Sequence, residues 1–139
     1  MEINIKATNI KLTPKLKEFI EEKINDLEKF SSIFQKNEDL WKGKAKIKAW
    51  VEVGKLVLSH QTGPWHYAEC QIELPGKSFR AVSEREDLKV AIVEVREELE
   101  RQLRKYKEKI REEFEKGARE LKERLKVSPS AKKPKRKGL

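Results

Sequence analysis

Apolar and polar positions along this chain alternate in some blocks and recur every three or four residues in others. Residues 2–8 place Ile3, Ile5 and Ala7 on one side and Glu2, Asn4, Lys6 and Thr8 on the other. That two-residue period predicts a half-buried strand. Thr13-Pro14 then supplies a hydroxyl N-cap and a proline at the first helical position, where its missing N–H costs nothing. The stripe Leu16, Phe19/Ile20, Ile24, Leu27 and Phe30 carries this helix to about residue 30. Residues 31–43 have no period and contain Ser31, Ser32, Asn37 and Gly43, which predicts a connecting loop, with Phe34 and Trp41 as side chains to tuck it in.

From Lys44 the alternation returns, with Ala45, Ile47, Ala49, Val51 and Val53 facing one way and Lys44, Lys46, Lys48, Trp50 and Glu52 the other. Gly54 breaks this parity and predicts a bulge or bend before Leu56-Val57-Leu58. After a turn over 59–64, Ala68, Cys70, Ile72 and Leu74 alternate with Tyr67, Glu69, Gln71 and Glu73 as a third strand. Pro75-Gly76 predicts a tight turn into a short fourth strand over Lys77–Val82. Ser83-Glu84-Arg85-Glu86 has the spacing of a capping box and predicts the start of a second helix.

That helix carries Leu88, Ile92, Val95, Leu99, Leu103, Tyr106, Ile110 and Phe114 on one stripe, and Leu121 and Leu125 extend it past Gly117. Residues 87–114 as a helix would span about 42 Å, against about 20 Å for a strand of ordinary length. The expected architecture is therefore α+β: a two-layer β-α-β-β-β-α sandwich, a four-stranded sheet with two helices on one face. The second helix is long and overhanging, and the other sheet face is open to water.

The 139 residues suit one domain plus an appendage. We expect an α/β domain over 1–115, a helix extension over 116–126 and a disordered basic tail over 127–139, because SPSAKKPKRKGL has no apolar period. Hydrophobic content of 37% beside 41% charged residues leaves material for a single core. One cysteine, Cys70, rules out an intramolecular disulfide and suits a reducing, cytoplasmic setting. No stretch has the apolar length of a membrane span or a signal peptide.

Enzyme signatures are missing: no glycine-rich phosphate loop, no Cys-x-x-Cys, no His-Glu-x-x-His and no Gly-x-Ser-x-Gly. His60, His66 and Cys70 are too few for a tetrahedral metal site, and Cys70 reads better as a small core residue. No enzyme activity, metal, cofactor or small-molecule substrate is expected. What stands out is positive charge. The net charge is +9, and from Lys126 onward there are six basic residues and no acid. Between Leu99 and Arg111, six basic residues (Arg101, Arg104, Lys105, Lys107, Lys109, Arg111) face two acids, Glu100 and Glu108. A helix buried on one side and basic beside it suits a polyanion, and it equally suits a helix kept soluble by its charges. The Lys44, Lys46 and Lys48 row allows two readings, anion binding or protection of a strand edge. Lys77, Arg80 and Arg85 surround the hairpin and the start of the second helix, and Lys23 and Lys29 lie on the solvent side of the first. Trp50, Trp65 and Tyr67 interleave with them, as base-stacking groups or as fold-supporting aromatics.

The segments INIKATNIKLTPKLKEFIEEKINDLEKF, ELPGKSFRAVSEREDLKVAI and ELERQLRKYKEK together resemble the ribosome hibernation-promoting factors, the group that includes ribosome-associated inhibitor A. The likeness covers residues 1 to about 110, with a longer interruption over 31–44. It implies a short-form factor that docks on ribosomal RNA in the small-subunit channel, covers messenger and transfer RNA sites, and inhibits translation under stress. Matching basic positions are Lys23, Lys29, Lys77, Arg80, Arg101 and Lys105; with Arg85, Lys89 and Arg104 they form the candidate RNA-binding set. The chain departs from the family at Asp26, where members carry a base, and at Lys89, where an aromatic is common. The long form's ribosome-pairing domain has no counterpart in the short basic tail, so pairing of ribosomes by that route is not expected; off the ribosome the protein is expected to be a monomer. Two other readings stand beside this one: a general structured-RNA-binding module, and a protein-interaction regulator of transcription.

Overall fold

The computed structural model describes residues 1–30, 47–56, 65–74 and 76–127. Strand β1 (Glu2–Thr8) is followed by helix α1 (Pro14–Asn25) and a 3-10 turn over Asp26–Phe30. Strands β2 (Lys48–Leu56), β3 (Trp65–Leu74) and β4 (Lys77–Arg85) come next, then helix α2 (Leu88–Val127). The sheet order is β1-β2-β3-β4, with β1 parallel to β2 and the other pairs antiparallel. This is the expected α+β arrangement with a long second helix. The predicted loop over 31–43, with Phe34 and Trp41, lies outside the described residues, as do the turn at 59–64 and the tail from 128.

Register explains the core. Rows Ile3–Ala49–Ile72–Phe79 and Ile5–Val51–Cys70–Ala81 run across the sheet on one face. All the β2, β3 and β4 members of these rows are buried. The helices supply Ile20, Ile24, Leu27 and Phe30 from the first and Ala91, Ile92, Val95, Leu99 and Leu103 from the second, all buried. Contacts put both helices over this face. The Ser83 hydroxyl on β4 donates to Glu94 of α2 at 2.6 Å, and Arg96 of α2 reaches Asp26 at the end of α1. The opposite face exposes Trp50 and Val82. Each large apolar side chain taken out of water contributes about 1.5–3 kcal/mol, so these two matching stripes are what close the fold.

Thr13 caps α1 as expected: its hydroxyl accepts from the Leu16 N–H at 3.2 Å, and Pro14 occupies the first turn. The helix does not run evenly to residue 30, because it tightens into the 3-10 turn at Asp26 while keeping Leu27 and Phe30 buried. Two other expectations fail for physical reasons. Ser83 is not the cap of the second helix. It remains in β4, and Asp87 takes the role by accepting from the Lys89 N–H at 2.9 Å. Three of the four capping-box residues were captured by strand pairing out to His66↔Arg85. Gly54 is not a bulge, since register is continuous through Thr8↔Gly54 and Gly54↔Tyr67. A Cβ there would stand 2.6 Å from both the Thr8 carbonyl oxygen and the Tyr67 ring. Glycine lets that ring lie across the strand and lets its hydroxyl donate to Glu52 at 2.7 Å. Gly76 does take the left-handed conformation of a hairpin turn, at φ +79°.

The chain forms two units, Met1–Arg104 and Lys105–Leu139, and the second helix runs through the division. In the second unit every residue from Arg111 to Leu125 is exposed, Phe114, Leu121 and Leu125 included. The apolar stripe therefore stays in the sequence after core burial ends at Leu103.

Candidate nucleic-acid interface

The basic residues of the first unit sort into groups by element. Phe19 on α1 brings together two of them: the ammonium groups of Lys23 and Lys89 each stand 5.5 Å from its ring centroid. Lys23 is one turn along the same helix, whereas Lys89 arrives from the first turn of α2. Sequence spacing alone could not pair them. Each ammonium is attracted to the electron-rich ring, which gives the two cations a shared anchor.

A second group sits where α1 ends. Lys29 is 2.8 Å from Glu100 and 3.5 Å from Asp26. Arg96 reaches the same Asp26 oxygen at 2.5 Å and Glu100 at 3.2 Å, and Arg104 grips the other Glu100 oxygen at 3.1 Å. Lys29 and Arg104 also lie over the Phe30 ring, at 5.6 and 5.8 Å. Glu100 is the hub: Lys29 and Arg104 beside it hold its carboxyl below the ordinary range, and it holds the Lys29 ammonium above its own. Arg96 is the member that residue-by-residue reading missed. Its signal was present as the i, i+4 spacing to Glu100.

Farther along the helix, Arg101 makes a two-pronged pair with Glu98 at 2.9 and 2.7 Å. Gln102 donates to the same carboxylate at 2.8 Å and to the Arg80 carbonyl oxygen at 3.0 Å, tying α2 to β4. With Arg101 and Gln102 as donors, the Glu98 carboxyl falls to about 2. Arg85 pairs with Glu94 at 2.9 Å, and Lys77 lies 5.6 Å from the Phe79 ring. Arg80 stands apart. Its neighbours Phe79 and Ala81 point into the core, so its side chain emerges on the opposite sheet face, where it holds Glu69 at 2.7 Å. Lys105 opens the second unit and has no ion pair or hydrogen bond among the described residues.

Of the nine candidate residues, Lys23, Lys29, Lys89, Arg85, Arg101 and Arg104 are thus on the helix side, and most of them are already matched to a carboxylate. Charge is distributed accordingly. Met1–Arg104 holds 19 basic and 18 acidic residues, whereas Lys105–Leu139 holds 14 basic and 6 acidic ones. Lys44 and Lys46 lie outside the described residues. Lys48 is flanked across the sheet by Glu2 and Glu73, so this lysine at least is screened by its own neighbours. Cys70 is fully buried in the core, where burial pushes its thiol up to about 12. His66 donates from Nδ1 to the Glu86 carbonyl oxygen, 2.7 Å away. No group of three potential metal ligands occurs among the described residues, and none of their helices is long and apolar enough to cross a membrane.

Fold and surface together define a small α+β domain with an ion-paired, cation-bearing helix face and a strongly basic C-terminal segment. Residues 3–111 match the family described as sigma 54 modulation protein / S30EA ribosomal protein, and the chain belongs to that family. No curated protein matches the sequence. Among solved structures, the fold is similar to that of the Thermus thermophilus Protein Y N-terminal domain, at TM-score 0.58 and 22% identity over 76% of this chain and 99% of that one. A ribosomal subunit interface protein from Coxiella burnetii is similar at TM-score 0.55 and 19% identity, over 77% and 98% of the two chains.

Proposed function

We propose that this protein is a ribosome-binding hibernation factor that docks on the small subunit and blocks the messenger and transfer RNA sites, as a cytoplasmic inhibitor of translation under stress. Family membership over residues 3–111 is the observation that carries this reading. The chemistry is compatible with it. Inhibition of this kind requires occupancy and no covalent step, so a rigid domain with a cationic face suffices. Folded RNA is recognised through its backbone and shape, and each phosphate neutralised releases a counterion. Lys23, Lys29, Lys89, Arg101 and Arg104 would meet phosphates from the helix side. Lys105 and the basic residues after it would add charge-driven attraction. The protein acts as a monomer before it binds.

Cosedimentation of the purified chain with small subunits, large subunits and whole ribosomes, with and without bound transfer RNA, tests the proposal. Binding to small subunits that transfer RNA displaces is the expected result. Equal binding to both subunits, or to a generic RNA duplex in competition, would replace it with a general RNA-binding module. The family description also names sigma 54 modulation, which favours a second reading as a protein-interaction regulator of transcription. A partner retained after nuclease treatment would support that reading instead.

A further inference from the structure

The sheet face turned away from the helices has an exposed indole at its centre. Register sets Trp50 in a grid of nine residues: Glu2, Asn4 and Lys6 on β1; Lys48, Trp50 and Glu52 on β2; Glu73, Gln71 and Glu69 on β3. Trp50 is 47% exposed. It lines a shallow hollow of about 360 Å³ with Asn4, Lys6, Gln71 and the carboxylates of Glu52, Glu69 and Glu73. About half exposed on this open sheet face, the indole offers a flat apolar surface on which a partner group can stack.

The surroundings decide which partner fits. Four carboxylates and two ammonium groups ring the indole, the Arg80 guanidinium stands beside Gln71 on the next strand, and the surplus of one acid is concentrated toward β3. That balance repels phosphate and attracts a cation. Glu52 keeps its charge because the Tyr67 hydroxyl donates to it, which holds its carboxyl below the usual range. Glu73 lies opposite Lys48 in the register and accepts a long 3.4 Å hydrogen bond from Gln71. Glu69 already grips a guanidinium, that of Arg80, at 2.7 Å on the rim of the same surface. A guanidinium is flat, so one face can stack on an indole while its edge donates in pairs to carboxylates.

We propose that this hollow is a docking site for an arginine-bearing segment of a partner protein, with one guanidinium stacked on Trp50 and hydrogen-bonded to Glu73 or Glu69. The helix side and the sheet side would then serve opposite chemistries, polyanion on one and polycation on the other. This inference stands on the sheet face alone and does not depend on the ribosomal reading.

The test uses the full chain, ¹⁵N-labelled and titrated with a short arginine-glycine peptide while the Trp50 indole N–H resonance is followed. The expected result is a saturable shift centred on Trp50, Gln71 and Glu73. Trp50→Ala and, separately, Glu69→Gln/Glu73→Gln should each weaken the peptide roughly tenfold, and a lysine-glycine peptide should bind several-fold more weakly. Arg101→Ala/Arg104→Ala should leave peptide binding unchanged while altering RNA binding, which keeps the two readings separable. The proposal is overturned if the peptide binds both sheet-face variants as well as wild type, if its shifts map to the acidic residues of α2, or if a single-stranded RNA claims Trp50 in preference to the peptide.

Discussion

Replacing Arg101 and Arg104 with Ala tests the helix face as an RNA contact, and the ion pairs set the size of the effect. The charged side chains tied together there are Asp26, Lys29, Arg96, Glu98, Glu100, Arg101 and Arg104, four cations against three anions. The double variant leaves two cations and the same three anions, so the local sign reverses. With one phosphate per arginine, two contacts are lost, and the slope of log affinity against log salt becomes shallower by about 1.4–1.8. Between about 50 and about 200 mM salt, wild type should therefore lose about 7–12-fold more affinity than the variant. Glu98 loses its cation and adds repulsion at low salt, whereas Glu100 keeps Lys29 and Arg96. Glu98→Gln placed in the Arg101→Ala background should recover part of the binding by removing that charge. Filter binding or cosedimentation with small subunits across a salt series reads both quantities. The melting temperature should stay essentially unchanged, because exposed pairs contribute little to stability. An unaltered affinity and salt slope in the double variant would refute the helix face as the contact surface.

Three further outcomes follow from the fold. Gly54→Ala forces a Cβ against the Thr8 carbonyl and the Tyr67 ring; we expect a loss of about 1–3 kcal/mol in urea unfolding, without a change in the identity of the folded state. Folding depresses the carboxyls of Glu52, Glu94 and Glu100 below the ordinary 4.5, and that of Glu98 to about 2. Their stabilisation is complete above the unfolded value and drains as pH falls through the folded ones. Melting temperature should therefore decline as pH falls below 4.5, and Glu98→Gln should change that decline only slightly because its pair with Arg101 is exposed, as followed by circular dichroism. Deleting residues 128–139 removes five basic residues and no acid; small-subunit affinity and its salt slope should fall while thermal unfolding is unchanged.

The parts of this fold legible in the sequence are those where one local signal acts alone. Thr13-Pro14 started α1 because nothing competed for the backbone there, and alternation gave the buried faces of β2 and β3. The failures come where a tertiary partner overrode the local pattern. Ser83 through Glu86 has capping chemistry, but pairing with β3 held the chain extended as far as Arg85, so Asp87 took over. Gly54 looked like a break until Tyr67 supplied the ring that fills its empty side. At the candidate interface the sequence marked where cations stand and not what they hold. Arg101–Glu98 and Arg104–Glu100 are recoverable from helical spacing. Lys29–Glu100, Arg96–Asp26 and the sharing of Phe19 by Lys23 and Lys89 join residues about 70 positions apart and needed the packed helices.

The parallel pairing of β1 has a consequence for the order of assembly. Strands β2, β3 and β4 meet neighbours in a meander, whereas Glu2 must find Lys48, 46 positions away, across α1 and everything that follows it. Closing so long a stretch is entropically slow relative to a hairpin, so we expect β1 to zip on late in the folding reaction and to peel off early in unfolding. Ile5→Val should then speed unfolding with little change in the refolding rate, which stopped-flow kinetics would reveal. Whenever β1 is away, β2 presents a bare row of backbone donors and acceptors to any second chain. Self-association during heating should therefore begin at that newly opened rim.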